Sequence, residues 1–320
     1  MWAPSLLEIG HQLRYCKGKA LEVPLSGPRK ANMVHRLLRH WLSIVAGAPV
    51  VLAAMPAPVS AAGDDILMAP HRAVYDMSVA TARGGSGVTA VAGRMVYELT
   101  GSACEGYTQN MRFVTQMINQ GGNAVITDLR SSSWEEGNGK RFRFNSSQYR
   151  DEKATEVTAG DAARANTADD VKVELTKPSK KDLSLSSRVY FPVQHSIALL
   201  AAARAGKTMF RADLYDGSEK GEKVYDTVSV IGGPRAPGSS PQLPPIKNAE
   251  ELDHLAAWPV SIAYFEPGSD KKDAVPVYEL SFLFFANGVS RRLFIDYGEF
   301  AIQGEIKEIV FLPPSKCDQR

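Results

Sequence analysis

Apolar and polar residues alternate with a period of two along most of the chain, and this pattern constrains the fold more than any other feature. Met95, Tyr97 and Leu99 form one apolar series that alternates with Arg94 and Glu98. Because successive side chains of a strand point to opposite faces, such a series is typical of a strand with one buried face. The same pattern recurs at Met111, Phe113 and Met117, at Phe142 and Phe144, at Val171, Val173 and Leu175, at Tyr278, Leu280, Phe282 and Phe284, and at Leu293, Ile295 and Tyr297. The chain is therefore predicted to be mainly β.

Short turns join these strand-like segments. Asn138-Gly139 and Asn287-Gly288 each separate two of them, and Asn-Gly suits a tight hairpin turn with positive φ at both central residues. Short connections favour neighbouring antiparallel strands over a parallel sheet with crossover helices. A sheet with so many strands has to curl or close to cover its apolar face. We therefore predict an antiparallel sheet that curls on itself.

One principal α-helix is predicted over residues 193–205, with a proline before it and a glycine after it. These are the favoured positions of proline and glycine at the two ends of a helix. Ile197, Leu200 and Ala201 are expected to share its apolar face. We expect this helix to plug the opening of the curled sheet or to lie against its rim.

A second, shorter helix is predicted after Asn248, because Asn248 and Glu251 have the spacing of a capping box. The stretch 232–245 before it contains five prolines. Proline has no N–H to donate to a ladder, so this stretch cannot be a central strand and is predicted to be a long surface loop.

The N-terminal region has the features of an export signal. Residues 41–54 are an apolar run with Arg36 and Arg39 in front of it, and Val59-Ser60-Ala61 fits a small-x-small cleavage site. The run is too short to span a bilayer, and no later run is long enough. We therefore predict a signal peptide at 33–61, an upstream extension at 1–32 that is foreign to the natural protein, and a single mature domain at 62–320 without a membrane span.

The mature chain carries no excess of basic charge. The full chain has 37 basic and 35 acidic residues, but the segment before residue 62 holds seven of the basic and two of the acidic ones. The mature part is thus slightly acidic, which disfavours a nucleic-acid-binding protein.

Two cysteines, Cys104 and Cys317, follow the predicted signal and lie near opposite ends of the mature chain. In an oxidising compartment two cysteines normally pair, and such a bond would hold the last residues against the first strands. The alternative is a reactive thiol, although neither cysteine belongs to a Cys-x-x-Cys motif.

Motifs for catalysis are sparse. His195 near the start of the helix is the best candidate for a general base, with Asp213 as a carboxylate partner, and the helix dipole would favour its neutral form. Glu135-Glu136 is interpreted as a charged hairpin end, because adjacent strand residues point to opposite faces. No Gly-x-Ser-x-Gly elbow or phosphate-binding loop is present, and the remaining histidines are widely separated. We expect no catalytic residues, no metal and no cofactor.

The aromatic and methionine faces allow two interpretations. They are a filled core, or they line an apolar cavity inside the curled sheet that accepts an acyl chain or a lipidated partner. The residues predicted to line such a cavity are Met111, Phe113, Phe282 and Phe284. Period-two patterning does not separate a filled interior from an open one.

Several longer segments carry a resemblance to a known family. They are APHRAVYDMSVA (69–80), GRMVYELTGSACEGYTQNMRFVT (93–115), SSWEEGNGKRFRFNSSQ (132–148), FPVQHSIALLAAARAG (191–206), LYDGSEKGEKVYDTVSVIG (214–232) and FLPPSKC (311–317). Together they span nearly the whole mature chain, which resembles the cell envelope integrity protein EipB family of alphaproteobacterial periplasmic proteins.

The resemblance implies a spiral-like, incomplete antiparallel β-barrel with a helix at its opening. It also implies a disulfide between Cys104 and Cys317 and a non-enzymatic role in envelope integrity and envelope stress resistance. Its partners would be envelope proteins, including a tetratricopeptide-repeat periplasmic protein. A loose similarity of this fold to periplasmic lipoprotein carriers makes a carrier of acyl chains the first alternative. An envelope hydrolase that uses His195 is the second.

Overall fold

The computed structural model describes residues 66–239, 244–268 and 274–315. The predicted extension (1–32), the predicted signal (33–61) and Cys317 lie outside these ranges. All of the described residues belong to one compact unit.

Fifteen strands and one α-helix make up most of the described residues, which confirms a mainly β chain with one principal helix. The strands are β1 (His71–Ala82), β2 (Val88–Ser102), β3 (Gly106–Asn119), β4 (Ala124–Glu135), β5 (Arg141–Arg150), β6 (Lys153–Ala163), β7 (Val171–Lys177), β8 (Lys181–Leu185), β9 (Val189–Tyr190), β10 (Met209–Leu214), β11 (Tyr225–Ile231), β12 (Ala257–Phe265), β13 (Tyr278–Phe285), β14 (Ser290–Asp296) and β15 (Phe300–Phe311). The helix is α1 (Pro192–Arg204), and short 3₁₀ turns lie at Glu219–Gly221 and Glu250–His254.

The strands form one sheet in which each strand pairs with its neighbours in sequence, except at β8 and β9. The order runs from β8 back to β1, passes to β15 and ends at β9. β1 and β15 form an antiparallel ladder that extends from His71 opposite Phe311 to Ala82 opposite Phe300, so the last strand lies beside the first. The two-residue β9 is parallel to β10. The sheet curls into a nearly closed barrel with one seam, between β8 and β9, which confirms the predicted incomplete barrel.

Helix α1 begins and ends as the sequence predicts. Proline occupies its first turn, and the chain leaves it through Gly206, whose φ is 70°. The N–H of Gly206 donates to the carbonyl of Ala203, and the N–H of Lys207 donates to the carbonyl of Ala202. This pair of hydrogen bonds is a Schellman motif, for which glycine is favoured because it tolerates positive φ.

The predicted apolar face of the helix is only partly correct. Leu200 is buried, but Ile197 is half-buried and Ala201 is exposed. Burial extends over more than one face, because the helix lies among strands rather than on the outside of the sheet. The buried residues are Pro192, Val193, His195, Ser196, Leu199, Leu200, Ala202 and Ala203.

The two Asn-Gly hairpins form, but with a different turn from the one predicted. Gly139 and Gly288 have φ of 69° and 87°, whereas neither Asn138 nor Asn287 has positive φ. The N–H of Gly139 donates to the carbonyl of Glu136 at 2.8 Å. This is the pattern of a type I turn followed by a left-handed glycine, which suits a hairpin loop longer than two residues.

The helix predicted after Asn248 is a 3₁₀ turn, Glu250–His254, and its N-cap is Ala249 with no side-chain cap. Asn248 has a φ of 62°, which places it in the left-handed region instead of the predicted capping conformation. The described residues of the proline-rich stretch 232–245 lie outside the named strands, in agreement with a surface loop.

Two apolar clusters fill the inside of the sheet. The larger joins β1–β4 with β11–β15 and the buried face of α1. The smaller lies under β5–β9 and is built around Phe142, Phe144, Phe191 and Tyr215. Phe142 stacks on Phe191 at 5.1 Å, and Tyr215 meets Phe144 edge to face at 5.8 Å. Helix α1 follows directly from Phe191, so the smaller cluster fixes the start of the helix.

Candidate functional site

The start of helix α1 is capped by a carboxylate from a distant strand. Phe191 occupies the N-cap position and provides no side-chain hydrogen bond. Glu135, at the end of β4, accepts instead from the backbone N–H groups of Val193 at 2.7 Å and Gln194 at 2.8 Å. These are the donors that an N-cap side chain would normally satisfy. Glu135 thus does for this helix what a local Ser or Asp does elsewhere.

Glu135 is 1% exposed, and burial raises its pKa to about 7. The two backbone N–H donors and the nearby guanidinium of Arg164 act in the opposite direction, but they do not outweigh the burial. The carboxyl group of Glu135 therefore titrates near neutral pH while it holds the helix start.

Arg164 joins the β4–β5 hairpin to the chain that connects β8 with β9. Its guanidinium donates to the carbonyl oxygens of Gly139 at 3.1 Å, Ser187 at 2.9 Å and Val189 at 2.9 Å. It also lies 4.8 Å from the ring centre of Phe191. Gly139 belongs to the β4–β5 hairpin, Ser187 to the connection between β8 and β9, and Val189 to β9, so one side chain connects these segments.

The far end of helix α1 reaches the opposite side of the barrel. The guanidinium of Arg204 donates to the carbonyl of Ala286, in the β13–β14 hairpin, at 3.2 Å. The helix therefore extends from the β4–β5 hairpin to the β13–β14 hairpin, across one end of the barrel. This is the position at the opening that the sequence analysis predicted.

His195 lies inside this helix–barrel contact and is 0% exposed. Its Nε2 is 3.1 Å from Thr227 Oγ1, and the Thr227 hydroxyl donates to the carbonyl of Ala212. Because the Thr227 hydroxyl donates its proton to the carbonyl, it accepts from His195, and Nε2 is therefore the protonated nitrogen. Burial lowers the pKa of His195 to about 3, so the ring is neutral.

The structure does not bring His195 and Asp213 together. Along β10 the side chains alternate between faces, so Asp213 points away from the face of its neighbour Ala212, where His195 contacts Thr227. The predicted pair of general base and carboxylate is therefore not assembled.

Glu135 and Arg164 are the important residues that the sequence analysis missed. The interpretation of Glu135-Glu136 as a charged hairpin end is wrong for Glu135, which is buried. One signal was available: a helix that starts at Phe191-Pro192 has no Ser, Thr, Asp or Asn to cap it. A cap therefore had to come from elsewhere, although the sequence does not say from where.

The four residues predicted to line a cavity are all buried in the larger apolar cluster. They are Met111, Phe113, Phe282 and Phe284, and the rings of the last two meet edge to face at 5.3 Å. A cavity of about 270 Å³ lies farther along, at the end of the barrel away from the helix. The turns at 85–88 and 117–121 line it together with Val125, and none of the four predicted residues does.

A row of buried tyrosines crosses the inner face near that same end. Tyr225, Tyr264, Tyr278 and Tyr297 follow one another from β11 to the end of β14, and the rings of Tyr264 and Tyr278 stack at 4.2 Å. Asp216 lies close by, and burial raises its pKa to about 6. Its Oδ1 accepts from the N–H of Ser218 at 2.9 Å. The row adds polar groups to a mainly apolar interior.

Cys104 lies in the turn between β2 and β3, with its Sγ 3.2 Å from Ser102 Oγ. Strands β2 and β15 flank β1 and both end beside His71, which pairs with Leu99 on one side and Phe311 on the other. The two chain segments that lead to the cysteines thus leave the sheet at the same end, two strand spacings apart, or about 10 Å. The disulfide with Cys317 stays a prediction.

Within the described residues, no three His, Cys, Asp or Glu side chains are grouped closely enough to hold a metal ion. His71 is buried, with Nδ1 2.7 Å from the carbonyl of Ala69, and His254 ends the 3₁₀ turn at 250–254. None of the helices in the described part of the chain is long and apolar enough to cross a membrane.

Comparison with known proteins gives consistent results. Residues 62–313 match the family described as EipB-like. The "Cell envelope integrity protein EipB" of Brucella abortus is 34% identical over 263 residues, which are 82% of this chain and 91% of that protein. The crystal structure of a beta-barrel-like protein of a domain of unknown function, also from Brucella abortus, superposes with a TM-score of 0.70 at 33% identity. The match covers 78% of this chain and all of that one.

Proposed function

This chain belongs to the EipB-like family, and from that premise we propose that it is a non-enzymatic periplasmic protein that supports the integrity of the cell envelope and its resistance to stress. The observation that carries the proposal is the similarity to the envelope integrity protein of Brucella abortus, which extends over 82% of this chain. It acts by binding a protein partner or an envelope component. A tetratricopeptide-repeat periplasmic protein is the partner class that the family resemblance implies.

The periplasmic location rests on the features of residues 33–61 and on the pair of cysteines. An export signal followed by an even number of cysteines is the pattern of an oxidising compartment. The strand ends next to Cys104 support a disulfide to Cys317, because the five residues between Phe311 and Cys317 are enough to span the two strand spacings.

Binding is proposed rather than catalysis because of the placement of the titratable groups. His195 is enclosed by the helix and the sheet, and Asp213 points to the other face of β10. A general base has to reach a proton of the substrate, and a fully enclosed imidazole has no such access. The geometry therefore gives no support to an envelope hydrolase.

Deletion of the gene tests the envelope role. We expect the deletion strain to become sensitive to detergent and to cell-wall antibiotics, and the wild-type gene to restore resistance. A copy without residues 33–61 is the matched control, since it keeps the mature domain but is not exported. Unchanged sensitivity of the deletion strain would overturn the proposal.

A carrier of lipid or acylated protein is the second candidate function. The cavity of about 270 Å³ at the far end of the barrel favours it, because apolar side chains of Val88, Met117 and Val125 line part of it. Delipidated protein should then bind a fluorescent acyl probe, and Met117→Trp should reduce that binding by filling the cavity. A probe that binds wild type and variant equally, or neither, would remove this candidate.

A further inference from the structure

The outer face of the barrel has a groove at β11–β14 that the proposed function does not yet use. Its volume is about 410 Å³, and its floor includes Val230 of β11, Pro259 of β12 and Leu283 of β13. Ser261 and Ser281 lie between them and are joined by a 2.9 Å hydrogen bond. The register places these residues side by side, because Val230 pairs with Ser261 and Pro259 pairs with Leu283.

Two large apolar side chains are exposed here next to each other. Met209 is 57% exposed and Val230 is 54% exposed, and they are direct cross-strand partners on β10 and β11. Single exposed apolar residues are common on protein surfaces. A cross-strand pair that continues into a groove with further apolar residues is a contiguous patch, which is the kind of surface that binds partners.

Two guanidinium groups border the groove. Arg235 lies on the connection between β11 and β12, and Arg292 lies on β14. None of the ion pairs within the described ranges uses either of them. Several other exposed arginines on the barrel do have such partners, for example Arg94 with Asp76 and Arg143 with Asp161. The groove therefore presents two positive charges that, within the described ranges, have no ion-pair partner.

The backbone at Arg292 is unusual. Its φ is 58°, and β14 has an irregular register against β13 at this point, between Ser281 and Leu283. A β-bulge of this kind turns a side chain to a new direction, and a non-glycine residue with positive φ stores strain. The strained residue is therefore one whose guanidinium borders the groove.

We propose that this groove binds an extended segment of a protein partner that places an apolar side chain on the floor and a carboxylate against Arg235 and Arg292. This rests on the proposed function and names the surface and the partner chemistry for it. Guanidinium groups bind carboxylates in a bidentate geometry, which gives specificity as well as affinity. A small amphiphile is a poorer occupant, because ligand pockets enclose most of their ligand and this groove is open along the outside of the sheet.

Peptide binding tests the proposal. A panel of fluorescein-labelled nonapeptides would combine two Asp residues with Leu or Phe at varied spacing, and a matched panel would carry Lys in place of Asp. Fluorescence anisotropy with the purified mature protein should show binding by members of the first panel that weakens at high salt. Their Lys counterparts should bind at least about tenfold more weakly.

The variant Arg235→Ala/Arg292→Gly should lose at least about tenfold in affinity for these peptides. Because glycine tolerates positive φ, Arg292→Gly is expected to keep or raise the melting temperature, which separates loss of binding from loss of fold. Arg94→Ala/Arg143→Ala removes the same charge elsewhere on the barrel and should leave binding unchanged. Equal binding of both panels, or full binding by Arg235→Ala/Arg292→Gly, would overturn the proposal. Binding of dodecanoate to the groove, with no binding of any peptide, would also overturn it.

Complementation distinguishes this inference from the proposed function. In the deletion strain, Arg235→Ala/Arg292→Gly should fail to restore detergent resistance although it accumulates at the wild-type level. Full restoration by this variant would refute the groove but leave the envelope role intact. A deletion strain without a phenotype, together with peptide binding that depends on both arginines, would refute the envelope role but leave the groove.

Discussion

Glu135 makes the stability of this fold depend on pH in a way that can be worked out from the structure. Burial raises its pKa from 4.5 to about 7 in the folded chain. Between those two pH values the folded state binds more protons than the unfolded state, so stability falls as pH rises through this window and is level above it. One unit of pKa corresponds to about 1.36 kcal/mol, which gives a loss of about 3 kcal/mol in total.

Other buried groups titrate in or near the same window, so the wild-type profile alone does not isolate Glu135. Burial raises the pKa of Asp216 to about 6, and this acts in the same direction. Burial lowers the pKa of His71 to about 4 and of His195 to about 3, and these act in the opposite direction, because stability is lost as pH falls. Wild type and Glu135→Gln both contain Asp216, His71 and His195, so the contributions of these groups cancel in the difference between the two unfolding free energies.

The assay is urea unfolding of both proteins at pH 4.5, 6 and 8. Relative to Glu135→Gln, the wild type should lose about 3 kcal/mol between the lowest and the highest pH. In a thermal scan this equals a relative shift of about 6–12 °C for a domain of this size. Glu136→Gln makes the same chemical change one residue along and controls for the loss of a surface carboxylate. A difference between wild type and Glu135→Gln that stays constant within about 0.5 kcal/mol across this range would refute the reasoning.

Three further predictions concern the seam, the cysteines and one glycine. Arg164→Ala removes three hydrogen bonds to backbone carbonyls and should destabilise the protein by about 3 kcal/mol. Limited proteolysis should then cleave faster near 186–190, and an unchanged cleavage rate there would contradict this. Cys104→Ser should lower stability by up to about 5 kcal/mol if the long loop is closed, and identical melting of both proteins with and without reductant would refute the disulfide. Gly217→Ala should destabilise by at least about 2 kcal/mol, because φ is 75° and a Cβ would lie 2.3 Å from the ring of Phe144; an unchanged urea midpoint would count against this packing.

The strands and the helix could be predicted because their signals are local. Alternation marks β3 and β13 over consecutive residues, and the proline and glycine that border α1 act within one turn of it. The choice of turn at Asn138-Gly139 was wrong because Asn-Gly is compatible with more than one hairpin loop, and loop length decides between them.

The site residues could not be predicted in the same way because they act across the fold. Glu135 lies about sixty residues from Val193 and Gln194 in sequence, and nothing in either segment indicates that the two are in contact. The groove depends on the bulge at Arg292, which a strictly alternating pattern does not contain. Sequence patterns therefore predicted which apolar side chains of the strands are buried, whereas the contacts between distant polar groups required the structure.

The seam explains why polar contacts matter so much in this barrel. Among the described strands, β8 and β9 each have one neighbour in the sheet, whereas every other strand is held on both edges by a ladder. Polar contacts near this junction include three hydrogen bonds from Arg164, two from the helix start to Glu135, and the ion pair of Lys181 on β8 with Glu222. Since a net hydrogen bond is worth about 1 kcal/mol, these contacts stabilise the seam by far less than a full ladder with a buried face would. The seam is thus the first place where the barrel should open.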